Sequence, residues 1–158
     1  MTKEVVIPWE LKYKFVRGMM TTLFKGFMYE IREECGAATA LKIHERLNKR
    51  DDRIKNMTYT LREVFNIEGN DIETIERWYN IYWDLTGIEG TRLEQSKTFG
   101  RNRITKCPFK TGYKDISEWC VNFNNIIIKT INPKTILNRV KGMCAGDPYC
   151  EFITKIEE

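Results

Sequence analysis

Four of the five cysteines in this sequence fall between positions 107 and 150, around one predicted helix and one predicted hairpin. Cys120 sits in a helical pattern, Cys107 ends a strand-like run just before Pro108, and Cys144 and Cys150 bracket the turn AGDPY. Three separate elements thus offer sulfur to one neighbourhood, and several thiolates together suit a soft divalent metal, zinc above all. The C-x5-C spacing of Cys144 and Cys150 is not that of a zinc knuckle. Buried inert thiols, a Cys144 to Cys150 disulfide formed in air, and a redox or nucleophilic cysteine therefore stand open beside the metal. Cys35, just before Gly36, reads as plain structure.

Two other groups of residues offer chemistry. Trp78, Tyr82 and Trp83 recur on one side of a predicted helix and offer a wall for a flat hydrophobic pocket, with ordinary core packing as the alternative. Between Gln95 and Lys114 six bases, Lys97, Arg101, Arg103, Lys106, Lys110 and Lys114, occur with no acid among them. Such an excess attracts an anionic ligand, or forms the solvated face of a strand. His44 is the only histidine, and a lone histidine is more often structural than a metal or haem ligand.

The elements that must position these residues follow from periodicity. After Pro8, a favourable helix start, Trp9, Val16, Met20, Leu23, Phe27 and Ile31 recur at helical spacing until Gly36. Met19, Met20, Phe24, Phe27 and Met28 of that helix suit either a core or a cavity wall. A second helix is predicted over 37–47, and a third after a cap at Asp51 or Asp52, with Ile54, Met57, Leu61, Val64 and Phe65 as its apolar positions. A fourth runs from a capping-box-like start at Asn70 and Glu73 to Gly87. TRLEQSKTF and RNRITKCPF then read as two strands joined near Gly100, with Asn102 available for the turn. Asp115 with Glu118 marks a fifth helix, whose buried stripe is Trp119, Cys120, Phe123, Ile127 and Ile131 and which Asn132-Pro133 breaks. KTILNRVKGM and CEFITKI are the last two strands. Four helices, a hairpin, a helix and a second hairpin predict an α+β domain in which helices pack on a small antiparallel sheet.

A chain of 158 residues is expected to form one domain, with 8–87 its helical part and 88–158 its hairpin, helix and hairpin part. With 42% hydrophobic and 12% aromatic residues and mixed charge, disordered and fibrous classes are excluded. No apolar run is long enough to span a membrane, and MTKEVVIPWELK has none of the parts of a secretory signal. Together with five cysteines this predicts a reducing compartment, the cytoplasm. The net charge of +4 comes without a recognition motif, so nucleic-acid binding is not expected.

The run WCVNFNNIIIKTINPKTILNRVKGMCAGDPYCEF resembles the C-terminal signature of 4-vinyl reductase domains and of proteins similar to L-2-amino-thiazoline-4-carboxylic acid hydrolase. Both end in a cysteine-bearing helix, a strand and a Gly-Asp-x-x-Cys-x-Phe turn, here Cys120 and then Gly146, Asp147, Cys150 and Phe152. The resemblance covers about 35 residues well and the KCPF around Cys107 more loosely. It implies a fold similar to haem nitric-oxide binding and TRAPP trafficking domains, a small-molecule ligand and a homodimer. In some regulators with this domain a helix cysteine, a glutamate and two cysteines near the last hairpin hold zinc. Cys120 and Cys150 match the first and last of these, whereas Arg139 and Gly142 stand near the middle two, so Cys107 and Cys144 would have to replace them.

The expected function is therefore a binding protein for a hydrophobic or planar small molecule, with zinc held by Cys107, Cys120, Cys144 and Cys150 and the ligand by Trp78, Tyr82, Trp83, Arg101 and Arg103. The alternative implied by the resemblance is a hydrolase that opens a C–N bond of a small cyclic amino acid. Arg101 or Arg103 would then hold the carboxylate, and Glu94, Asp147 or Glu151 would offer a base. A third class is an assembly subunit whose aromatic surface serves a partner.

Overall fold

A computed structural model describes residues 8–49 and 52–157; Asp51 lies outside them, and so does the side chain of His44. The elements in order are α1 (Trp9–Cys35), α2 (Ala37–Lys49), α3 (Asp52–Val64), α4 (Ile72–Thr86), β1 (Glu89–Gln95), β2 (Phe99–Lys106), α5 (Lys114–Ile131), β3 (Thr135–Lys141), a short 3-10 turn (Met143–Ala145) and β4 (Cys150–Ile156). The two hairpins join through β2 and β4 into one antiparallel sheet of order β1-β2-β4-β3. This is the α+β arrangement that the hydrophobic pattern predicts.

The helix boundaries show which local signals decide. Pro8 flanks α1 and its carbonyl accepts from the amides of Leu11 and Lys12, while Gly36, at φ 76°, ends the helix by donating to Arg32 O. The cap of α4 is Asp71 and not Asn70, because Asp71 Oδ1 accepts from Thr74 N at 2.8 Å. Asp115 lies in the first turn of α5 and does not cap it; its carboxylate pairs with Arg32 and ties α5 to α1. The first hairpin turns at Ser96, whose Oγ accepts from Thr98 N and Phe99 N. Gly100 and Asn102 therefore fall inside β2, contrary to a turn at those residues.

Register fixes the two faces of the sheet. Arg139 pairs with Phe152 and Phe152 with Asn102, and in the next rows Leu137 pairs with Thr154 and Ile104 with Cys150. These residues face the helices. The other face carries Arg101, Arg103 and Glu151. The core gathers Ile72, Ile75 and Trp78 of α4, Ile127, Ile128 and Ile131 of α5, Ile54 of α3, and Leu137 and Phe152 of the sheet, so both parts of the chain contribute to it. Among the described residues no helix is long and apolar enough to cross a membrane.

The first helix departs from the pattern. The stripe Trp9, Val16, Met20, Leu23 and Phe27 reads as its buried face, yet all five residues are at least half exposed and only Met28 of α1 is buried. The reason is where α1 lies. Tyr13 donates to Leu85 O near the end of α4, Tyr29 to Thr111 O, and Arg32 pairs with Asp115 at the start of α5. The helix is thus held across the cavity described below and presents its remaining apolar side to solvent.

Candidate functional site

Helices α4 and α5 each build the core with one part and bound a cavity beside it with another. Toward its end α4 turns Tyr79, Tyr82 and Trp83 into a cavity of about 630 Å³, and the first turns of α5 contribute Trp119, Cys120, Phe123 and Asn124. Tyr13, Met20 and Phe24 of α1 cover it, and Asn102, Ile104, Leu137, Arg139, Phe152 and Thr154 form its sheet side. The volume is in the range of small-molecule sites. Five of its aromatic rings run in one chain. Phe109 meets Phe24 edge-on at 5.5 Å, Phe24 meets Trp119 at 5.3 Å, Trp119 stacks on Phe123 at 5.7 Å, and Phe123 meets Tyr82 at 6.2 Å. Such walls favour a ligand with flat or apolar surface.

All four clustered cysteines line this cavity. Cys120 interacts electrostatically with each of the other three, and Cys107 with Cys144 and Cys150. Every sulfur also receives a donor. Backbone amides of Phe109 and Lys110 reach Cys107, Met143 N donates to Cys150 Sγ at 3.2 Å, Asn124 Nδ2 to Cys120 Sγ at 3.4 Å, and Thr111 Oγ1 to Cys144 Sγ at 3.8 Å. Donors on sulfur are what a thiolate site needs from its surroundings. Among the described residues, however, no group of three or more His, Cys, Asp or Glu side chains is arranged to hold a metal ion. The donor set fits zinc in its chemistry, while the sulfurs as placed do not form a closed shell.

Burial dominates the acidity of these thiols. It pushes Cys107 up to about 11 and Cys120 up to about 12, and raises Cys150 as well. Cys107 and Cys120 then carry far less thiolate than an ordinary thiol at neutral pH. A maleimide is accordingly expected to modify the exposed Cys35 first and Cys120 last, read by peptide mass spectrometry against time. Equal rates at Cys35 and Cys120 would contradict the shielding of the helix cysteine inside the cavity.

The structure separates the other sequence candidates. Tyr82 and Trp83 line the cavity, but Trp78 is fully buried behind them, stacked on Tyr82 at 5.1 Å. Arg101 and Arg103 do not line it. Both donate to Glu151 on the outer face of the sheet, Arg101 Nη2 at 2.6 Å and Arg103 Nη2 at 3.2 Å, and the bonds from Arg101 hold the Glu151 carboxyl below its ordinary range. In β2 the odd-numbered arginines take the face opposite Asn102 and Ile104, which is why a ligand role does not fit them. Glu151, Glu94 and Asp147 are likewise outside the lining, Asp147 Oδ2 accepting from Gly142 N at 2.8 Å.

Three polar residues of the lining carry no clear sequence signal. Asn124 accepts from Tyr79 OH at 2.8 Å and donates to Cys120 O at 2.7 Å. Asn102 donates to the buried Glu76 Oε1 at 2.6 Å, and its own Oδ1 is buried without a partner among the described residues. Arg139 donates to Ser117 Oγ on α5. The one hint for Arg139 is the alternation that sets it on the face of Thr135 and Leu137.

No family model matches the sequence, and no curated protein matches it either. Solved structures do. The chain is similar to the phenol-responsive sensory domain of the transcription activator PoxR with phenol, at a TM-score of 0.58 and 12% identity over 86% of this chain and 74% of that one. It is also similar to a trafficking protein particle complex subunit 3 from Naegleria fowleri covalently bound to palmitic acid, at a TM-score of 0.65 and 10% identity over 92% and 97% of the two chains. The likeness is one of fold. It agrees with the TRAPP-like architecture implied by the C-terminal segment, while the 4-vinyl reductase family itself rests on that segment alone.

Proposed function

We propose that this protein is a small-molecule-binding domain of the 4-vinyl reductase type that takes a hydrophobic or planar ligand into the space between α1, α4, α5 and the sheet. The observation that carries the reading is the cavity of about 630 Å³, with a wall that is mostly aromatic and aliphatic and holds no carboxylate. Both structural neighbours were obtained with a small organic molecule, phenol in one and palmitic acid in the other, which supports the same use of the fold. Cys107, Cys120, Cys144 and Cys150 would hold a zinc ion that ties α5 to the last hairpin, and the donors on each sulfur support this. The exposed stripe of α1, with Trp9, Phe15, Met20 and Phe27 each more than half exposed, supports a homodimer formed through that helix. Five free cysteines suit a reducing compartment such as the cytoplasm.

Native mass spectrometry with elemental analysis of freshly purified protein tests all three parts. An organic mass released on denaturation, about one zinc per chain and a species of twice the 18.8 kDa chain are expected. A chain without bound organic mass that also fails to bind added aromatic probes would overturn the binding reading. A metal-free or monomeric chain would remove the zinc or the dimer and leave the cavity standing.

A further inference from the structure

The chemistry of the cavity narrows its ligand further, on the assumption that it is a binding site. Three cations line it, Arg17, Lys110 and Arg139, and no Asp or Glu does. Lys110 is exposed and Arg17 reaches the carbonyl of Asp84, so both lie toward solvent. Arg139 is different. It comes from β3, half-buried, on the same face as the buried Thr135 and Leu137, and it makes no ion pair among the described residues. Its one hydrogen bond there goes from Nη1 to Ser117 Oγ, which fixes the plane of the guanidinium and leaves the rest of the fork unused.

The surroundings hold this cation in place with no carboxylate in the lining, although the thiols of Cys120 and Cys150 lie within its electrostatic reach. Gly142 gives it room: a Cβ there would meet Ser117 Oγ at 2.8 Å and Arg139 Nε at 3.3 Å, so any side chain would press on the pair. The nearby acid, Asp147, is bound to the amide of Gly142. Ile116 and Ser117 of the same wall belong to the first turn of α5, where the one acid of that turn, Asp115, is taken by Arg32. An arginine facing an apolar cavity that offers no carboxylate can take one from a ligand. A single negative charge balances it, and a planar carboxylate matches its fork.

We infer that the ligand is a hydrophobic monocarboxylate whose aromatic or alkyl body lies along Trp119, Phe123 and Tyr82 and whose carboxylate is held by Arg139. The assignment rests on the binding-domain reading and moves the anion contact from Arg101 and Arg103 to the inner face of the sheet. Calorimetry with three probes of one hydrophobic body tests it: naphthoate, naphthylmethanol and naphthyl phosphate.

The wild-type protein is expected to bind naphthoate about tenfold or more tightly than naphthylmethanol, and no less tightly than naphthyl phosphate. Arg139→Gln should bring naphthoate down to the level of the alcohol while the alcohol itself is unchanged. Arg139→Lys, which keeps the charge without the fork, should retain part of the preference. Equal binding of acid and alcohol by the wild type, a preference that survives Arg139→Gln, tighter binding of the phosphate, or a preference abolished by a metal chelator would each overturn the assignment and leave the cavity reading intact. If no probe binds at all, both fall together. The wild-type comparison decides even if the Arg139 variants do not fold.

Discussion

Trp78→Ala is expected to lower the stability of the fold by about 3–5 kcal/mol, the largest loss of any single aromatic truncation in this chain. Trp78 has no exposed surface. It stacks on Tyr82 at 5.1 Å, meets Tyr79 edge-on at 5.4 Å, and donates from Nε1 to Thr58 O at 3.3 Å, so one side chain joins α4 to α3 and supports the cavity wall. Truncation opens a hole among Ile75, Ile127 and Ile128, which belong to the same core and are themselves fully buried. Trp83→Ala, at a partly exposed position on the cavity, should affect ligand binding more than stability. Urea denaturation of the two variants checks this. A loss below about 1 kcal/mol at Trp78 would mean that α4 does not anchor the core.

Asn102→Leu is the second large effect, and its size should depend on pH. Glu76 is 1% exposed and accepts from Asn102 Nδ2 at 2.6 Å, with a longer contact of 3.4 Å from Arg92 Nε. Burial, the largest influence, raises the Glu76 carboxyl above its ordinary 4.5, and the bonds from Asn102 and Arg92 work against that rise. A carboxyl raised in the folded state binds its proton more tightly there than in the unfolded chain. Its contribution to stability is therefore greatest below the unfolded value and is lost as pH climbs through the raised one.

Without Asn102 the buried charge keeps only the weak Arg92 contact, so the folded value rises further and the neutral-to-alkaline side suffers most. The variant should lose about 3 kcal/mol at about pH 8 and clearly less at about pH 5. Glu76→Gln should flatten the dependence, because it has no charge to bury. Urea midpoints across that range decide the matter; a pH-independent gap between wild type and Asn102→Leu would mean that Glu76 is not the group concerned.

Local pattern sufficed where the signal was local. The order of helices and hairpins follows from apolar spacing and from Gly36, Gly87 and Pro133, each at the end of a helix. Register is less visible: whether Arg101 or Asn102 faces the helices is set by the pairing of β2 with β4, which places Asn102 beside Phe152 and Arg101 beside Ile153. The helical stripe of α4 shows that Trp78, Tyr82 and Trp83 share a side, but not that Trp78 lies in the core while the other two bound an open space. Periodicity reports that a residue leaves water, not whether it meets protein atoms or a cavity.

The sequence by itself therefore determined the α+β order of elements and the presence of sulfur on three separate elements near its end, because helix period, strand alternation and turn residues act over a few neighbours. Only the tertiary structure decided that those four sulfurs line one cavity, that α1 lies across it with its apolar stripe outward, and that Arg139 and not Arg101 or Arg103 faces inward. Each of these depends on pairing between segments far apart in the chain, β2 with β4 and α1 with α5, and no local pattern encodes which partner a face will meet.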